Sequence, residues 1–145
     1  MCVVFTKAID KQFITTININ NEIVEIVASF KLLGVIIRCD LSWQEHVDYI
    51  ITKASKRFYV LCQLKRSGVC NLDIIAVYCS LIRSVVEYAS PVWHSGLTKN
   101  QSDLIEGVQK RCLRIVFPEL SYSVAIQLAG LELLSVRREA ARRNL

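Results

Sequence analysis

Two histidines, five aspartates and six cysteines are the residues of this 145-residue chain with the types to do chemistry. His46-Val47-Asp48, with His94 downstream, imitates the H-x-D…H ligand set of non-haem iron oxygenases. Such a centre needs two imidazoles and one carboxylate on one metal, with positions left open for oxygen. Ser42 and Glu45, just ahead of the triplet, have capping-box spacing, which predicts that a helix opens there. Residues two apart on a helix point about 200° from each other, so His46 and Asp48 cannot share a metal. His46 then reads as a helix-face residue and Asp48 as a first-turn carboxylate favoured by the helix dipole. The cysteines (Cys2, Cys39, Cys62, Cys70, Cys79, Cys112) contain no C-x-x-C pair to clamp zinc. The five glycines are isolated, no two aspartates are adjacent, and no G-x-S-x-G elbow or Cys-His pairing occurs. These residues assemble no catalytic centre, and no bound metal or cofactor is expected on the chain.

The elements that position these residues divide in two. "CVVFT" reads as a short strand, and "FITTINI" and "EIVEIV" flank Asn20-Asn21, a pair that tolerates the positive φ of a tight hairpin. "SFKLLGVII" reads as a further strand with Gly34 inside it, the mark of a bulge or a close backbone approach. After Asp40 the apolar period changes from two to 3.6. A helix from Ser42 aligns Val47, Ile50, Ile51, Ala54, Phe58 and Leu61, and ends at Gly68 just past Lys65 and Arg66. A second opens at Asn71, runs to about Tyr88 and is stopped by Pro91; it is apolar almost all round, hence central. A third opens on the capping box Thr98–Gln101. It is expected to bury Leu104, Val108, Cys112 and Ile115, to expose Lys110, Arg111 and Arg114, and to end at Pro118. A short helix between Ser121 and Gly130 and a basic helix, "SVRREAARRNL", complete the chain. The expected fold class is α+β: a small antiparallel β remnant followed by an α-helical bundle. Both ends read as cut rather than finished.

Composition sets the remaining bounds. With 52% hydrophobic residues the chain belongs to the folded class. "MCVVF" is too short and lacks the basic lead of a leader peptide, and no stretch approaches the ~20 apolar residues of a membrane helix. Scattered cysteines on apolar stripes point to a reducing, intracellular compartment. Net charge is +5, unevenly spread: residues 1–50 hold 4 Lys/Arg against 6 Asp/Glu, and residues 51–145 hold 14 against 7. A basic second half suits a polyanionic partner, with a solvated face as the open alternative. Lys110-Arg111-x-x-Arg114 and the row Arg137-Arg138/Arg142-Arg143 are the sharpest of these patterns, because helical cation rows hold phosphates without reading sequence. Trp43 and Trp93 stand at element boundaries, where a core plug competes with a base-stacking platform.

From Phe30 onward the text closely resembles the C-terminal part of reverse transcriptases of non-LTR retrotransposons (LINE-type, Jockey and CR1-like). The phrases that carry the likeness are "SFKLLGVII", "LSWQEHVDYI", "KASKRFYVLCQLKRSGV", "VYCSLIRSVVEYASPVWH", "LIEGVQKRCLRIVF" and "GLELLSVRRE". They cover about 115 residues in order, and "VVFTK" near the start resembles the family's last palm strand.

The resemblance implies a layout: residues 1–40 as the end of the palm with a primer-grip hairpin or strand, and residues 41–145 as a helical thumb. Phe30, Lys31, Leu32, Leu33 and Gly34 look like the primer grip. Lys53, Lys56, Arg57, Lys65, Arg66, Lys110, Arg111 and Arg114 are the implied contacts to the backbone of an RNA–DNA or DNA duplex. The family's Tyr/Phe-Ala-Asp-Asp motif, which holds two Mg²⁺, does not occur in these residues. The expectation is therefore a duplex-positioning fragment, inactive alone, with Mg²⁺ belonging to a palm elsewhere. A non-catalytic helical interaction module and a non-functional pseudogene product are the alternatives. Residues 10–50 also look like a short profile named for the N-terminus of an AlkB-type repair homologue. That label is misleading, since neither an iron triad nor a methyl-donor loop accompanies it.

Overall fold

Residues 29–38 form a two-stranded hairpin, not the single strand that alternation suggested. In the computed structural model, which describes residues 17–19, 22–24 and 27–144, β3 (Ser29–Leu32) pairs antiparallel with β4 (Val35–Arg38), Leu32 opposite Val35. Leu33 and Gly34 are thus the whole turn, with φ of 47° and 88°. Two successive positive φ values make a type I′ turn, whose twist matches that of the strands it joins. Gly34 is accordingly a turn residue rather than a bulge. The sequence disguises the turn because Leu33 stands where Asn or Asp is usual. A β-carbon in the left-handed region costs about 1–2 kcal/mol. Leu33 is 83% exposed, so it recovers little by packing. Leu33→Asn should therefore raise stability by about 1 kcal/mol, read as a higher urea midpoint. An unchanged midpoint would mean that the turn is not strained.

A second hairpin precedes it: β1 (Ile17–Ile19) pairs antiparallel with β2 (Glu22–Val24), Ile17 opposite Val24. The strand expected at "CVVFT", the rest of "FITTINI" and the Asn20-Asn21 turn lie outside the described residues. The chain divides into two compact units, residues 1–46 and 47–145. The fold is α+β, with small antiparallel hairpins followed by helices.

α1 (Gln44–Ser55) starts two residues later than expected. The Ser42–Glu45 capping box is not made, because the Ser42 N–H goes to Asp40 Oδ1 at 2.9 Å. Glu45 instead accepts from Ser29 Oγ at 3.2 Å and lies 3.5 Å from Arg38. The helix expected to run unbroken to Gly68 is interrupted at Lys56-Arg57. There Arg57 N–H bonds Ala54 O and Val60 N–H bonds Arg57 O, tighter i−3 links that separate α2 (Phe58–Arg66). The apolar stripe survives this break: Val47, Ile50, Ala54, Phe58 and Leu61 are all buried. Gly68, at φ 76°, ends α2 with the paired bonds Val69 N to Leu64 O and Gly68 N to Lys65 O, a Schellman stop.

α3 (Asn71–Val77) continues through a π-helical segment, Tyr78–Arg83, into α4 (Ser84–Val86). Ile74, Ile75, Tyr78, Ile82, Val85 and Val86 are buried, while Leu72 and Leu81 are exposed, so this run is one-sided rather than buried all round. Pro91 does not stop it. The run ends before a left-handed Ala89, and Pro91 sits in the first turn of α5 (Ser90–Trp93), where its missing N–H is harmless.

A 3₁₀ turn at His94–Gly96 leads to α6 (Lys99–Val116), opened by the Thr98–Gln101 capping box as expected. α7 (Tyr122–Leu128) and α8 (Leu134–Arg143) follow. Ser121 is the N-cap residue of α7, although its hydroxyl meets Ser123 Oγ rather than the backbone. α6 packs on α2, α7 and α8, and α5 packs on α8.

The buried face of α6 corrects the expected one. Val108 and Cys112 are inside, but Leu104 is 43% exposed and Ile115 only partly covered. Gln101, Ile105, Glu106, Gln109, Leu113 and Val116 take the interior. Polar residues occupy it because they hold tyrosine hydroxyls there: Tyr78 Oη donates to Gln109 Oε1 at 2.7 Å, and Tyr122 Oη donates to Glu106. Gln109 Nε2 donates to Tyr122 Oη at 3.0 Å and to Glu132 O at 2.9 Å, and Leu134 N–H donates to Glu106 Oε2 at 3.0 Å. Burial pushes both phenols upward, so they stay protonated donors. Cys112 is buried beside them, its thiol pushed up to about 12 chiefly by burial.

Candidate nucleic-acid interface

The triplet that opened the question of chemistry is split by the helix it lies on. His46 is fully buried and Asp48 exposed. His46 Nδ1 accepts the Ile36 N–H at 3.3 Å, which requires that nitrogen to be unprotonated. His94 belongs to another element and lies 3.2 Å from Glu139. No group of three His, Cys, Asp or Glu is placed to hold a metal ion among the described residues.

Burial holds the His46 imidazole below its ordinary value, which gives the stability a pH signature. The unfolded chain takes up the proton near pH 6.5 and the folded chain only below that. The contribution of neutral His46 is therefore complete above about pH 6.5 and is lost as the pH falls through the interval beneath. Melting temperatures at pH 7.5 and 5.5 should show a larger acid drop for the parent chain than for His46→Gln. Equal drops would show that the imidazole does not titrate against the fold.

The five residues expected to meet a primer end occupy the β3–β4 hairpin and its turn. Phe30 is half-buried, whereas Lys31, Leu32 and Leu33 are exposed around a backbone that Gly34 keeps bare. The turn thus presents main chain and apolar side chains together.

The eight cations expected on a duplex do not all face one way. Lys65 is committed inside, donating at 2.8 Å both to Asn71 Oδ1 and to Val116 O at the end of α6. Arg57 donates to the Leu81 carbonyl in the π-helical segment. Lys53 lies 5.9 Å from the Tyr49 ring centre, and Lys53, Lys56 and Arg66 are exposed. The arginine row of α8 is also engaged: Arg137 pairs with Glu87 at 2.7 Å, Arg138 is fully buried, and Arg142 and Arg143 both reach Glu139.

Lys110, Arg111 and Arg114 share one face of a single helix, α6. They are exposed, and among the described residues none of them makes an ion pair. Arg111 lies 4.7 Å over the Phe58 ring and Lys110 5.3 Å over Tyr122, stacking that fixes where the charges stand. With Gly107 and Ile115 they border an open groove of about 430 Å³. Gly107, Lys110, Arg111 and Arg114 follow the i, i+3, i+4, i+7 spacing of one helical face. Arg114 is repelled by Lys110 (i, i+4) and Arg111 (i, i+3) by a few tenths of a kcal/mol per pair, and an interior glycine weakens a helix by roughly 0.5–1 kcal/mol against alanine. Gly107 was missed in the sequence because only its place at the head of a cation row, inside a helix, marks it.

No protein-family model, curated protein or solved structure matches the chain.

Proposed function

We propose that this chain positions a primer–template duplex as the primer-grip and thumb part of a reverse transcriptase of the non-LTR retrotransposon type. The observation that carries the reading is the face of α6 on which Lys110, Arg111 and Arg114 stand exposed, without a carboxylate partner among the described residues. The ordered phrases from Phe30 to Glu139 supply the family, and the exposed Leu33-Gly34 turn suits close approach to a strand end. The chain's part in the reaction is positional: fixed cations hold phosphates, and the hairpin tip sets where the primer ends. The paired aspartates that would hold Mg²⁺ for polymerisation are not in these residues.

Fluorescence anisotropy with a labelled RNA–DNA hybrid tests this. Binding should weaken steeply with salt, with a log–log slope of about −2 to −3 if three phosphates are neutralised. Absence of binding at ~20 mM salt, where screening is weak, would overturn the reading.

A second reading, a protein-interaction module, is favoured by the exposure of Tyr59 (68%) and Leu72 (67%). It expects association that is insensitive to salt.

A further inference from the structure

We infer that the groove over Gly107 is a seat for a nucleic-acid strand, whose sugar–phosphate backbone crosses α6 at Gly107 and is held by Lys110, Arg111 and Arg114. This rests on the nucleic-acid reading above and adds to it a point of contact and a residue, Gly107.

Shape contributes here as much as charge. A basic helix face with side chains throughout keeps a strand at arm's length. Here the N-terminal end of the face has no side chain, and a β-carbon built at Gly107 meets nothing within 4 Å among the described residues. Packing against the described residues therefore does not require a glycine here. Its φ is not among the positive values found at Gly34, Gly68 and Gly130, so backbone conformation does not require one either. What the missing side chain provides is an opening, bordered by Ile115 and by three cations within two turns. An apolar floor with a cationic rim suits a sugar–phosphate strand, which offers apolar sugar edges and regularly spaced anions. The stacking of Lys110 on Tyr122 and of Arg111 on Phe58 holds two of the rim charges in place before any ligand arrives.

The test uses the full chain with a labelled RNA–DNA hybrid and, in parallel, a labelled poly-glutamate peptide. Gly107→Gln leaves the charge unchanged, improves helix propensity and fills the opening. Lys110→Gln/Arg111→Gln/Arg114→Gln removes the rim charges and leaves the opening. Unchanged or higher melting temperatures establish that both variants fold. The expected result is about tenfold weaker hybrid binding by Gly107→Gln with its salt slope retained. The triple variant should show a slope shallower by about 2–3.

A parent chain that binds the hybrid with a steep slope, alongside variants that bind equally well, would overturn the seat and leave the nucleic-acid reading standing. A parent chain that does not bind the hybrid at low salt would overturn both. Poly-glutamate bound as tightly as the hybrid, and weakened equally by Gly107→Gln, would reassign the groove to an acidic protein segment.

Discussion

Glu106→Leu is expected to destabilise the helical unit by about 3–5 kcal/mol, one of the two largest effects of any single change foreseen for this chain. The carboxylate is buried and accepts from Tyr122 Oη and from the Leu134 N–H. Leucine leaves both donors buried without a partner, and each orphan costs roughly 1–3 kcal/mol. The same carboxylate also offsets the charge of Arg138, a cation that burial already disfavours. Glu106→Gln keeps one acceptor and should lose only about half as much. Urea denaturation of the three chains measures this, and a loss below 1 kcal/mol for leucine would show that the network is not coupled to the fold.

Trp93→Ala should cost about 4 kcal/mol, in the range for truncating a buried aromatic ring. Trp93 is fully buried, and its Nε1–H donates to Tyr88 O at 3.0 Å. Its ring lies 6.0 Å from the guanidinium of Arg138, which donates from Nη2 to Ser102 Oγ at 2.9 Å. Arg138 Nε and Nη1 are buried and have no hydrogen-bond partner among the described residues. Arg138→Met, of similar bulk, removes two donors that lack such a partner but also the cation that offsets Glu106; these terms oppose, so the net change should stay within about 1 kcal/mol of the parent. If Trp93→Ala and Arg138→Met proved equally damaging, the guanidinium would be a net contributor to stability, not a tolerated one.

These effects centre on residues whose importance the sequence concealed, and the reason is physical. Periodicity reports apolar residues, so it found Val47 to Leu61, the stops at Gly68 and Gly130, and the Thr98–Gln101 cap, each a local rule obeyed. It misjudged the inner face of α6 because Glu106 and Gln109 are inside as hydrogen-bond partners of tyrosines from distant segments. The β3–β4 turn was hidden by Leu33, and α5 by Pro91, which begins a helix as readily as it ends one. Of the candidate interface, the three α6 cations were legible as a spaced row. That Lys65 would turn inward to a carbonyl 51 residues away was not. Such choices depend on which groups the fold leaves without partners.

The burial of Cys112 has a practical consequence. A thiol reacts as its thiolate, and this one is doubly protected, by its elevated pKa and by the helices around it, while Cys70 lies exposed. Under a thiol-selective reagent Cys70 marks the ordinary reaction rate, and Cys112 responds only when the bundle opens. The ratio of the two rates converts directly into an opening free energy, so the native chain carries its own gauge of how often its interior meets solvent.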